Sequence, residues 1–115
     1  MEFPESEQQY LCSELVTVHQ EGAEAPVVAN LEEIRFSGAT LLTETPIASG
    51  IAVDVVCQGG TLSGSVHDCN RNELGYFVTV VFDEDCHWSP ELFRPAHMLD
   101  PLELIRRKAE SRKAG

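Results

Sequence analysis

The chain has 115 residues, of which 43% are hydrophobic, and a formal net charge of −11 at pH 7. This length and hydrophobic fraction suit one domain with a core of its own. Residues 1–99 carry a net charge of −13, whereas residues 100–115 carry a net charge of +2. Because an acidic body repels phosphate backbones, nucleic acid is excluded as the expected partner, and the charge is best interpreted as keeping a small domain soluble.

The sequence gives no sign of a membrane segment or an export signal. No stretch approaches the roughly 20 consecutive apolar residues that a membrane-spanning helix needs. Residues 1–5 lack the basic and apolar parts of a signal peptide. We therefore expect a cytoplasmic protein without membrane insertion, in which the four cysteines are reduced thiols: Cys12, Cys57, Cys69 and Cys86.

Six stretches are predicted as β-strands because they are β-branched or alternate apolar with polar residues. They cover residues 12–20, 27–36, 39–44, 51–57, 61–69 and 76–82. Residues 1–9 are acidic and aperiodic, which predicts a flexible leader. Short strands with turns about every 8–12 residues favour closure into a barrel, since closure removes exposed edges. We therefore predict a six-stranded antiparallel β-barrel over residues 10–99.

Local patterns refine this fold. Ile34 falls on the strand face opposite Leu31, which predicts a bulge near Glu32-Glu33. Gly59-Gly60 predicts a hairpin turn, residues 46–50 predict a loop, and residues 70–75 predict a second hairpin loop. Trp88, a large apolar residue outside the predicted strands, is expected to seal an end of the barrel; an exposed Trp88 would instead mark a docking surface.

The C-terminal part changes from strand to helix patterns. Ser89-Pro90-Glu91 predicts one short helical turn, and Asp100-Pro101-Leu102-Glu103 predicts the start of a C-terminal helix over residues 100–115. Its apolar face comprises Leu102, Ile105 and Ala109, and its cations gather toward the C-terminal end. A solvated helix end explains these cations most simply. A basic handle for an acidic partner, or for the acidic body of a second copy, is the alternative.

The segment Glu33-Ile34-Arg35-Phe36-Ser37-Gly38-Ala39-Thr40-Leu41-Leu42, with the strand order around it, resembles a PilZ domain. The resemblance spans residues 27–83, roughly half to two-thirds of the chain. It implies an all-β fold with a six-stranded barrel. It also implies a cyclic di-GMP site made of an R-x-x-x-R pair and a motif at the glycine break, in which an acid or amide, a serine and a glycine recur.

Residue by residue, this sequence departs from the family pattern. No arginine precedes Arg35, so the R-x-x-x-R pair is absent. Glu33 stands at the acid position, Arg35 stands where the family has serine, and Ser37 and Gly38 match the end of the motif. Each unpaired like-charge contact with a phosphate at about 4 Å costs on the order of 4 kcal/mol. We therefore expect no cyclic di-GMP binding in the usual way, and we expect Arg35 to pair with Glu33 or with a carboxylate of a neighbouring strand.

Two functions remain open. The first is a non-catalytic PilZ-like regulatory module of bacterial signalling, which binds another protein and can form a homo-oligomer. The second is a receptor for cyclic di-GMP or another small molecule, with an altered pocket around Arg35, Ser37 and Gly38. The candidate ligand-binding residues are therefore Glu33, Arg35, Ser37 and Gly38.

Other chemistry finds little support in the sequence. His67 and Cys69 are predicted to share a strand face, and Cys86-His87 follows, but neither a C-x-x-C nor an H-x-x-x-H pair is present. Packed thiols and surface imidazoles therefore explain these residues better than a zinc site. Ser37 has no partner histidine nearby in the sequence, and no glycine-rich phosphate loop occurs. We predict neither an enzyme nor a bound cofactor or metal.

Overall fold

A computed structural model of the protein describes residues 7–99 and 105–106. This part of the chain contains six β-strands, numbered β1 to β6 in chain order. Their bounds are β1 Gln9–Gln20, β2 Val27–Arg35, β3 Gly38–Thr43, β4 Ala52–Val56, β5 Thr61–Asn72 and β6 Gly75–Phe82. The six strands predicted from the sequence are confirmed, with bounds that differ by a few residues.

The strands form one antiparallel sheet that closes on itself. Their order around the ring is β1-β2-β3-β6-β5-β4. The closing contact joins β1 to β4, where residues 17–20 pair with residues 53–56. The predicted six-stranded antiparallel sheet is therefore confirmed. Because the sheet closes, β1 and β4, which stand at the two ends of this order, pair with each other.

The core lies inside the ring and is built from alternate residues of the strands. Val16 and Val18 of β1, like Val53 and Val55 of β4, are at most 3% exposed, whereas Asp54 between the last two is exposed. Side chains alternate between the two faces of a strand, so the period of two in the sequence determines which residues face inward. The predicted inward face of residues 51–57 is confirmed.

Strand β2 contains the bulge that its sequence predicts. Its register against β3 shifts between Leu31 and Glu33. Because of the extra residue, Leu31 and Ile34 are both fully buried although they are three positions apart. A regular strand would direct Ile34 to the outer face instead.

Two hairpins follow the sequence signals to different degrees. Strands β4 and β5 pair through a turn in which the Cys57 N–H donates to the Gly60 carbonyl at 2.9 Å, so the predicted hairpin at Gly59-Gly60 is confirmed. The β5–β6 turn is tighter than the predicted loop over residues 70–75. Strand β5 continues to Asn72, whose Oδ1 accepts hydrogen bonds from the N–H groups of Leu74 at 2.7 Å and Gly75 at 3.0 Å. This side-chain acceptor shortens the connection.

The segment after β6 covers part of the core. Trp88 is 1% exposed, and its indole Nε1–H donates to the Phe93 carbonyl at 3.0 Å. Its ring meets Tyr10 edge-on, with centroids 5.4 Å apart. The expectation that Trp88 is a buried seal rather than an exposed docking residue is confirmed. Where a short helical turn was predicted, a single hydrogen-bonded turn occurs, in which the Leu92 N–H donates to the Ser89 carbonyl at 3.0 Å.

The two chain ends fall largely outside the described residues. Of the predicted C-terminal helix over residues 100–115, only Ile105 and Arg106 are described, and both are helical and exposed. Of the predicted leader over residues 1–9, only residues 7–9 are described. In the described ranges, no helix has both the length and the apolar character needed to span a bilayer.

Candidate functional site

The segment predicted to bind a ligand is the turn between β2 and β3. Arg35 ends β2 and pairs with Gly38, which begins β3, so Phe36 and Ser37 form the connection. The turn is tied to the neighbouring strand because the Phe82 N–H donates to the Ser37 carbonyl at 2.8 Å. The strand break therefore falls one residue earlier than the predicted Ser37-Gly38, and Gly38 is a buried strand residue.

Within the part of the chain that the structure describes, the guanidinium of Arg35 contacts the side chains of Glu33 and Gln9. Its Nη2 lies 2.6 Å from Glu33 Oε1 and 2.8 Å from Gln9 Oε1. Glu33 lies beside Arg35 because residues two apart on a strand share a face. The Arg35 and Glu33 side chains are only 13% and 21% exposed, which shields the ion pair from solvent. The predicted pairing of Arg35 with Glu33 is confirmed.

The two donors of Ser37 also have a partner within the chain. The backbone N–H and the hydroxyl of Ser37 both donate to Glu7 Oε1, at 3.0 and 2.7 Å. Two donors that converge on one carboxylate oxygen make a small anion-binding site, and hydrogen bonds to a charged acceptor are among the stronger ones. The chain therefore places its own carboxylate where an anionic ligand would contact Ser37.

The outer surface of the turn is aromatic. Phe36 is 49% exposed, and its ring stacks on the imidazole of His87 with centroids 4.4 Å apart and an interplanar angle of 11°. The backbone N–H of Trp88, the residue after His87, holds this arrangement by donating to the Phe36 carbonyl at 3.0 Å. Phe36 was not among the residues predicted to form the site. The contact depends on tertiary structure, and no spacing between residues 36 and 87 would indicate it.

Carboxylates outnumber cations among the groups that meet at this turn. Glu7 accepts hydrogen bonds from Ser37, and Glu33 accepts one from Arg35. Glu32, the preceding residue in the strand, accepts a hydrogen bond from the Asn30 side chain. Among the described groups that bond at this turn, a ligand with two phosphates would meet one cation and two carboxylates, so their field opposes its binding.

The residues considered for zinc do not share one face. Strand β5 has a bulge between Val66 and Asp68, so His67 is exposed whereas Cys69 packs against the core. The expectation that His67 and Cys69 face the same way is therefore wrong, because the bulge interrupts the alternation. Cys86 Sγ lies 3.3 Å from the Ser63 N–H, which donates to it. Among the described residues, no group of three or more His, Cys, Asp or Glu side chains could hold a metal ion.

A buried carboxylate that the sequence analysis did not single out lies on β1. Glu14 is 5% exposed. Its Oε2 accepts from the Gln58 N–H at 3.0 Å, and its Oε1 accepts from the Ala96 N–H at 2.9 Å. The sequence does contain a signal for this residue, since alternation from Val16 and Val18 places Glu14 on the inward face. The carboxylate joins β1 to the β4–β5 hairpin and to the segment after β6.

Two thiols close to this carboxylate are held in the protonated state. Burial, with a smaller contribution from the charge of Glu14, raises the pKa of Cys12 and of Cys57 from 9.0 to about 12. The Cys12 thiol donates to the Leu31 carbonyl at 3.5 Å. All four cysteines are free thiols. Cys12 and Cys57 are therefore poor nucleophiles near neutral pH, because the thiolate is the reactive form.

Comparison of the chain with protein-family models, with curated proteins and with solved structures finds no match. The PilZ resemblance therefore depends on the pattern of residues 27–83 and stays a prediction.

Proposed function

We propose that the protein is a non-catalytic regulatory module of the PilZ-like type, which acts by binding another protein and does not take cyclic di-GMP in the usual way. The observation that supports this proposal most directly is that the chain fills its own candidate site. Arg35 is bonded to Glu33 and Gln9, and both donors of Ser37 are bonded to Glu7.

A cyclic dinucleotide would have to displace these contacts before it could bind. A phosphate at Arg35 would compete with a carboxylate that is already 2.6 Å away and partly shielded from water. A polar group at Ser37 would compete with Glu7, and a displaced carboxylate beside a phosphate adds repulsion rather than attraction. A single arginine also lacks the paired guanidinium groups that the family resemblance implies for the two phosphates.

A small-molecule receptor remains the second candidate, and the turn itself favours it. Ser37 binds a carboxylate oxygen through two donors, so it is competent to hold an anion. The neighbouring Phe36–His87 stack presents a flat, exposed surface. A ligand that combines one anionic group with a planar group would suit this arrangement, provided that it displaces Glu7.

Calorimetric titration with cyclic di-GMP at physiological salt tests the choice. We expect no measurable binding heat for the wild-type chain. The comparison variants are Arg35→Ala, which removes the candidate cation, and Arg71→Ala, which removes an exposed arginine at the end of β5. Micromolar binding that Arg35→Ala abolishes and Arg71→Ala retains would overturn the proposal in favour of the receptor.

We also propose that the module works in the cytoplasm, as its reduced thiols suggest.

A further inference from the structure

The outer face of the ring carries a shallow groove of about 420 Å³ with exposed apolar walls. Leu15 of β1 is 73% exposed, Val28 of β2 is 65% exposed and Leu74 of the β5–β6 turn is 76% exposed. All three line the same groove. Large aliphatic side chains that gather in one exposed concavity mark a contact surface more often than scattered ones do.

The strand register explains why Leu15 faces outward. Leu15 pairs with Asn30, and Asn30 pairs with Leu42. Leu15, Asn30 and Leu42 therefore form one row across β1, β2 and β3. The inward positions next to this row are buried in the core, for example Val16 and Leu41. The groove therefore cannot turn its apolar residues inward without losing the core.

The chain contains a segment whose composition fits this groove. In residues 100–115, Leu102, Ile105 and Ala109 recur at helical spacing, and the basic residues are Arg106, Arg107, Lys108, Arg112 and Lys113. The charge of this tail is complementary to the groove, whose lining includes Glu44, and to the acidic body around it. Apolar residues in the groove and opposite charge at its rim are the features that position an amphipathic basic segment.

Leu99, the last described residue before the tail, lies beside β1. The N–H of Leu99 donates to the Leu11 carbonyl at 2.6 Å, and the reverse hydrogen bond is 3.2 Å long. Six residues further on, Ile105 is 66% exposed. The Ile105 side chain therefore has most of its surface available for contact, which favours a second copy as the source of its contact surface.

We propose that the tail of one copy docks in the Leu15–Val28–Leu74 groove of a second copy, and that the exchange is reciprocal, giving a two-fold symmetric dimer. Such an interface uses the same two surfaces on both partners, so it closes without leaving a free groove. This inference rests on the proposed protein-binding function and names one partner. Its test measures self-association, so it can fail while the calorimetric result at the β2–β3 turn still stands.

Sedimentation velocity of the full chain over a range of concentrations provides the test. We expect a reversible dimer that weakens at least tenfold in Leu15→Glu, which puts a charge in the groove, and in Ile105→Glu, which puts one on the tail. Leu92→Glu is the matched control, because Leu92 is 63% exposed and lies outside the groove. This control should dimerise like the wild type. Raising the salt concentration should weaken the dimer, since the contact includes opposite charges.

Mixing the two variants tests whether the groove binds the tail of a second copy or some other partner. Leu15→Glu retains a working tail and Ile105→Glu retains a working groove, so an equal mixture should form a heterodimer through one of the two contacts. That heterodimer should be tighter than either variant alone and weaker than the wild type. The proposal is overturned if the wild-type chain stays monomeric up to its solubility limit, if Ile105→Glu dimerises normally, or if the mixture associates no better than its components.

Discussion

The carboxylate of Glu14 on β1 accepts a hydrogen bond from the backbone N–H of Ala96, 82 residues later in the chain, at 2.9 Å. Its second oxygen accepts from the Gln58 N–H. One buried side chain thus joins three segments that are far apart in sequence. A buried acceptor that satisfies two backbone donors stabilises the fold mainly because its removal leaves those donors without partners.

Replacement of Glu14 by alanine should therefore destabilise the protein strongly. We expect the free energy of unfolding to fall by about 2–4 kcal/mol, measured by urea denaturation. Glu14→Gln keeps one carbonyl oxygen but turns an NH₂ group toward the other donor, so it should cost about half as much. Glu91→Ala, at an exposed acid, is the control and should change stability by less than about 0.5 kcal/mol. Equal stabilities for Glu14→Ala and Glu91→Ala would show that the contact contributes nothing.

The raised pKa values of Cys12 and Cys57 predict a loss of stability at alkaline pH. Both thiols titrate near 9.0 in the unfolded chain and at about 12 in the folded one. The folded state therefore binds protons more tightly, so the contribution to stability is present below about pH 9 and is lost as pH rises toward about 12. Urea midpoints measured across this range should fall with pH.

The matched variant for this test is the double change Cys12→Ala and Cys57→Ala. It should be less stable at neutral pH but should show a shallower fall of the urea midpoint above about pH 9, because the two titrating groups are gone. Val66→Ala lowers stability by a core cavity alone and should keep the wild-type pH dependence. If the double variant loses stability with pH as steeply as the wild type, other groups cause the alkaline effect.

Gly75 should tolerate no side chain. Its φ is +145°, and an added Cβ would lie 2.3 Å from the Thr43 carbonyl oxygen, which belongs to the neighbouring strand and cannot move freely. We expect Gly75→Ala to lower the free energy of unfolding by about 2–4 kcal/mol. Gly22→Ala is the comparison, since Gly22 has a φ of +82° but no atom within 4 Å of the added Cβ, and it should cost about 1 kcal/mol. Similar costs at both positions would mean that strain in the backbone, not the contact with Thr43, decides the effect.

The contact between Glu7 and Ser37 should appear as a coupling energy. Glu7→Gln and Ser37→Ala, made singly and together, form a double-mutant cycle in which urea denaturation should give about 0.5–1.5 kcal/mol of interaction. The value is modest because both residues are only partly buried and the Ser37 N–H remains as a donor in the alanine variant. Additive effects within about 0.3 kcal/mol would show that the carboxylate does not occupy the turn in solution.

The strands could be predicted from the sequence because their signals are local. The alternation of Val53 and Val55 with Asp54 determines a face, and the mismatch between Leu31 and Ile34 requires a bulge. The pairing of Arg35 with Glu33 could also be predicted, since residues two apart on a strand are neighbours.

The long-range contacts could not be predicted in the same way. Glu7 reaches Ser37 across 30 residues and Glu14 reaches Ala96 across 82, and both contacts depend on how the ring closes. The bulge at His67 resembles the one in β2, since Val66 and Cys69 pack in the core although they are three positions apart, and the predicted shared face of His67 and Cys69 overlooked that mismatch. Local periodicity identifies the strands, whereas the side chains that meet across the ring follow from its register.

The hydrogen bond from Ala96 to Glu14 also has a consequence for synthesis of the chain. A ribosome makes Glu14 82 residues before the backbone donor at position 96, which emerges only after all six strands have left the exit tunnel. Until then, the nascent polypeptide carries a charged group at an inward position with one of its two partners missing. This hydrogen bond can therefore stabilise the sheet only after β6 has been made, and it cannot help the first strands to pair.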